Sequence, residues 1–165
     1  MEIEKTDKCE KNKALLTAYY FIKKDKKEKK GIDSLKLQKL LYYAQAWNLV
    51  FNKKKLFEDK IEAWIRGPVV PNVWSSLKSV DLNDLDLSEK ELNCFSNEEK
   101  KILDEVWRVY GKYDGEYLEL LTHNEFPWQN ARKGLSEGQH SNNVISPDEM
   151  RKYYSKKLHE DEMAK

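Results

Sequence analysis

The chain has 165 residues, 36% of them charged and 39% hydrophobic, with a net charge of +1. That length supports one domain whose core needs no staples. The near-zero charge argues against a general nucleic-acid binder, and no apolar run approaches the roughly 20 residues that span a membrane.

Residues 1–10, MEIEKTDKCE, contain no apolar stretch. They predict a disordered segment and no signal peptide. Leu15, Ala18, Tyr19 and Ile22 recur at helical spacing and predict a first helix over 11–25. KKDKKEKK, 23–30, has nothing to bury and predicts a solvated helix end or a loop before Gly31. SLKLQKLLYYAQAWNLVF, 34–51, predicts the strongest helix, with Ser34 as its cap. Leu37, Leu40, Leu41, Ala44, Trp47 and Phe51 share one face of it, widened by Tyr43 and Val50. A helix this apolar must be covered on most of its circumference.

The period then drops to two. LFEDKIEAWI, 56–65, predicts a short hairpin with its turn near Glu58 and Asp59, ended by Gly67-Pro68. Pro71 suits the first turn of a new helix carrying Val73, Trp74 and Leu77. Residues 79–95 are acidic, poorly periodic and predict a connection. Ser96 and Glu99 form a capping box for a helix with Ile102, Leu103, Val106 and Tyr110 inward and Gly111 as its stop. Short helices are expected at 115–122 and from Pro127 towards Gly134, then a polar loop over 135–145. The last helix, 147–160, turns Met150, Tyr153, Tyr154 and Leu158 inward, and residues 161–165 fray. Trp47, Trp74 and Trp107 are expected in the core. The whole predicts a mainly α fold: a compact single domain over 11–160, with six or seven helices and one small β-hairpin.

The chemistry is sparse. There is no phosphate-binding glycine loop, zinc-protease motif or nucleophile elbow, so no cofactor and no metal are expected. Cys9 and Cys94 stand far apart in no metal-like spacing and predict free thiols. His123 closes a short helix five residues before Trp128. It suits a helix C-terminus or, alternatively, a general base. Residues 1–55 hold 15 lysines against 7 acids, whereas 56–105 hold 12 acids against 6 basic residues. The basic clusters at 23–30 and 53–55 keep a nucleic-acid-binding alternative open, beside a hydrolase-type enzyme using His123 and a protein-binding module.

Three stretches then occur in order: LKLQKLLYYAQAW (35–47), LFEDKIEAWIRGPVVPNVW (56–74) and LTHNEFPWQNAR (121–132). Together they resemble the Panacea domain, the SocA- or GepA-like family of prophage-associated proteins. The resemblance covers nearly all of 11–160. It implies an antitoxin of a toxin–antitoxin pair, non-enzymatic and cytoplasmic, which neutralises a toxin encoded beside it by direct protein contact. In one branch of the family the antitoxin also presents its toxin to a cytosolic protease. Neither a membrane nor a nucleic acid is the implied partner.

On this reading the hairpin and the Gly-Pro turn form a stiff lip over the 34–51 helix. Trp64 and Arg66 project from the face opposite Ile61 and Ile65, and Pro127-Trp128 completes a second edge. Trp and Arg are the types that dominate interface energetics, and a preorganised loop loses less entropy on binding. The expected toxin-binding candidates are Trp64, Arg66, Gly67, Pro68, His123, Pro127 and Trp128.

Overall fold

In the computed structural model, which describes residues 2–87 and 89–163, one helix organises the molecule. The helix α3 (Ser34–Phe51) is buried on almost every side, including Leu37, Leu40, Leu41, Tyr42, Tyr43, Ala44 and Ala46. Five helices lie against it: α2 (Lys13–Glu28), α4 (Pro71–Leu77), α5 (Asn97–Tyr110), α6 (Gly115–His123) and α8 (Pro147–Met163). Before α2 comes α1 (Glu2–Lys11), and α7 (Phe126–Ala131) bridges α6 and α8. The fold is mainly helical, with eight α-helices and one antiparallel hairpin among the described residues.

The local rules explain most boundaries. Asp33, one residue before the expected cap, accepts the backbone N–H of Lys36 at 2.8 Å and starts α3. Ser96 and Glu99 form the reciprocal capping box of α5, whose Ile102, Leu103, Val106 and Tyr110 are buried. Asp114 caps α6, and Pro71 and Pro127 sit in the first turns of α4 and α7. Tyr43 stacks flat on Tyr110 at 4.0 Å, and Trp107 stacks on Phe21, so the bulky core rings pack face to face between α3, α5 and α2.

The hairpin lies further along the chain than its periodicity suggests. It consists of β1 (Glu62–Trp64) and β2 (Gly67–Val69), with Glu62 opposite Val69, Ala63 opposite Pro68 and Trp64 opposite Gly67. The turn is Ile65-Arg66, and Gly67 supplies the reversal at φ +109°. Gly67-Pro68 is therefore the second strand and not its terminator. Residues 54–57 make no strand because α3 takes backbone groups of Lys54, Leu56 and Phe57. Gln45 Oε1 accepts from the Leu56 N–H at 2.7 Å, Gln45 Nε2 donates to the Phe57 carbonyl at 2.7 Å, and Asn48 holds the Lys54 carbonyl at 2.9 Å. The far edge of β1 is closed by the polar loop, which returns so that Val144 bridges Glu62 and Asn143 accepts the Ala63 N–H.

Other expectations are also corrected. The N-terminal segment predicted as disordered is helical over Glu2–Lys11. Cys9 and Cys94, expected as free thiols, form a disulfide with their Cα atoms 5.6 Å apart. The acidic connection folds back in two 3₁₀ turns (Leu82–Asp84 and Glu89–Cys94), which carries Cys94 to α1 across 85 residues. Trp74, expected in the core, is 36% exposed, and Phe51 is 53% exposed at the last turn of α3. Residues 164 and 165, at the expected frayed end, lie outside the described residues.

Candidate protein-docking groove

The polar residues of α3 build the site. Gln38 Oε1 accepts the Val70 N–H at 2.8 Å, and Lys39 Nζ donates to the Pro68 carbonyl at 3.1 Å. Both donors and acceptors are buried, so these bonds fix the height of β2 over the helix. A Cβ on Gly67 would meet Lys39 Cε at 2.5 Å, so only glycine lets the strand lie directly on this side chain. Pro68 loses no ladder bond by lacking an N–H, since Ala63 opposite it turns its own N–H and carbonyl away, to Asn143 and Arg132.

Behind the hairpin, a second set of contacts holds it from the other side. Trp128 Nε1 donates to the Trp64 carbonyl at 2.9 Å. Arg132 Nη1 donates to the Ala63 carbonyl at 2.8 Å, its guanidinium lying over the Trp128 ring at 5.3 Å. His123 stacks flat on Trp128 at 3.9 Å. Burial lowers the affinity of His123 for a proton, and its Nε2 is buried with no hydrogen-bond partner among the described residues. Pro127 is buried.

The result is an open concavity of about 290 Å³ beside the hairpin. Its floor is Ser34, Leu35, Gln38 and Lys39 of α3, and one wall is Trp64, Ile65, Arg66 and Val69. Trp74 and His140 complete the rim. Trp64 is anchored, not loose: its Nε1 donates to Glu62 at 2.9 Å and its ring meets Trp74 edge-on at 5.4 Å. Arg66 stands mostly in solvent and places Nε and Nη2 on Glu119 Oε2 at 3.2 and 2.9 Å. Ile65, placed opposite Trp64 in the sequence pattern, is 42% exposed and shares the same rim.

The candidates thus separate into two groups. Trp64 and Arg66 line the groove, with Gly67 and Pro68 forming the strand beside it. His123, Pro127 and Trp128 lie behind the hairpin and do not reach the groove. Sequence reasoning missed Gln38, Lys39 and Trp74. The signal was present: a helix covered on all sides yet containing Gln38, Lys39, Gln45 and Asn48 must satisfy those groups against backbone. Among the described residues no group of His, Cys, Asp or Glu could hold a metal, and no helix is long and apolar enough to cross a membrane.

Residues 37–129 match the family described as antitoxin SocA-like, Panacea domain, and the chain belongs to that family. No curated protein and no solved structure matches the chain significantly.

Proposed function

We propose that this protein is a non-enzymatic antitoxin that neutralises a cognate toxin by direct binding, using the groove beside the hairpin. Membership of the antitoxin-like family supports the class. The observation that carries the site is the concavity walled by Trp64, Ile65 and Arg66 and floored by α3. Its wall is preorganised by buried bonds from Gln38, Lys39, Trp128 and Arg132, so little ordering entropy is lost when a partner docks. His123 stacks on Trp128 and does not line the groove, which supports an anchoring role over a general base.

The partner is a protein encoded nearby, and the proposed compartment is the bacterial cytoplasm. The Cys9–Cys94 bond runs against that compartment, where thiols are kept reduced. Maleimide labelling in intact cells distinguishes the two: cytoplasmic protein labels at both cysteines.

Co-expression with the neighbouring gene product tests the function. The expected result is a complex that survives size-exclusion chromatography and restores growth. Trp64→Ala and Arg66→Ala are expected to weaken the complex while the melting temperature of the Arg66 variant stays within a few degrees of wild type. No complex and no rescue would end the reading.

A further inference from the structure

Resting on that protein-binding role, we propose that the groove beside the hairpin is a seat for an acidic side chain flanked by apolar residues on the partner. Charge complementarity points there. Three of the lining residues are basic types, Lys39, Arg66 and His140, and none carries a carboxylate. The rest of the lining is mostly apolar, with Trp64, Ile65, Val69 and Trp74 above and Leu35 below.

Lys39 is the second, independent observation. It is 0% exposed, yet its ammonium has three donors and a single described acceptor, the Pro68 carbonyl. Lys13 and Lys157 are answered by acids, Glu99 and Glu125, each at 3.0 Å, and Lys36, 2% exposed, by the Gly111 carbonyl at 2.6 Å. The acids that act on Lys39 through space are committed elsewhere. Glu119 holds Arg66, and Asp33 caps α3. Burial consequently drives the amine down to about 7. An anion entering the groove would meet the remaining donors of Arg66 directly. It would feel Lys39 only as a field, since Gly67 and Pro68 seal the amine from solvent. That field exists only while the amine is protonated, the state that an anion nearby favours.

The size restricts the occupant. A concavity of about 290 Å³ is at the lower end for ligand sites and takes one or two side chains. A short carboxylate between hydrophobic neighbours matches its walls. A sugar–phosphate chain matches them less well, because the wall of Trp64, Ile65, Val69 and Trp74 is apolar apart from two indole N–H groups, one of them already bonded to Glu62.

Isotope-labelled protein titrated with three capped pentapeptides tests this: Gly-Leu-Glu-Phe-Gly and the same peptide with Gln or Lys at the centre. The Glu peptide is expected to move the indole signals of Trp64 and Trp74 and the Arg66 Nε signal. The Gln peptide should bind about tenfold more weakly, the margin of a charge-assisted hydrogen bond over a neutral one. Arg66→Gln, at an exposed position, and Lys39→Met should each erase that preference. Equal binding of Glu and Gln peptides, preference for Lys, or no shift at millimolar peptide would overturn the proposal. So would displacement of the Glu peptide by a thymidine hexanucleotide at lower concentration, which would assign the groove to nucleic acid. A toxin complex that survives Arg66→Glu would sink this seat and leave the antitoxin role standing. Absence of any complex, with the peptide preference intact, would do the reverse.

Discussion

Two buried charges on either side of α3 are treated in opposite ways. Glu125, 3% exposed, is fully answered within the molecule. Tyr43 donates to it at 2.5 Å, Tyr154 at 3.1 Å, and Lys157 closes the set at 3.0 Å. Tyr42 and Tyr154 extend the network at 2.9 Å. Lys39 has one carbonyl and no ion pair among the described residues. A completed buried network rigidifies a core, whereas an incompletely satisfied one is a cost the fold carries. The difference separates the side of α3 that holds the domain together from the side on which the proposed docking groove lies.

Removing Glu125 should break the comparison most severely. Glu125→Ala leaves Lys157 and two buried tyrosine hydroxyls without their acceptor and is expected to cost about 3–5 kcal/mol. Chemical denaturation checks it, and a loss below that of an ordinary surface mutation would show that the network is not the core's anchor. Gly67→Ala comes next. It places a Cβ 2.5 Å from Lys39 Cε and forces a side chain to φ +109°, for a loss of about 1–3 kcal/mol. Thermal melts should show it. Gly134→Ala is the control, with comparable positive φ but open space around its Cβ position.

Lys39→Met sharpens the contrast through pH. The folded pKa of Lys39 lies below its unfolded value, so between about 7 and 10 the unfolded chain binds more protons than the native one. The cost of charging Lys39 is full below pH 7 and is relieved as pH rises. The stability difference between wild type and Lys39→Met should therefore shift in favour of wild type from pH 7 to pH 9. A difference that stays flat with pH would mean that Lys39 is charged throughout. Arg66→Ala is the smallest effect. Its pair with Glu119 is exposed on the arginine side, so the stability change should stay under about 1 kcal/mol.

Much of the fold was legible because its signals are local. Helical spacing located α2, α3, α5 and α8, and the Ser96 and Glu99 pair announced α5 through two bonds within one turn. The candidate groove was half legible. Trp64 and Arg66 stand out as residue types beside a Gly-Pro turn, and they do line the concavity. Trp128 carries the same signal of type, yet its indole is spent on the Trp64 carbonyl behind the hairpin. Residue type reports what a side chain can do and not which way it faces.

The amino-acid order alone determined the helices from α2 onward, the capping box of α5 and the two prolines that open α4 and α7, because each depends on neighbours within one turn. Only the tertiary structure decided where the strands begin, since Gln45 and Asn48 claim the backbone of 54–57 and leave Glu62–Trp64 to pair with Gly67–Val69. It also decided that Cys9 meets Cys94 and that Lys39 lies sealed beneath Pro68. Such pairings join residues far apart in the chain, and no periodicity within a segment encodes them.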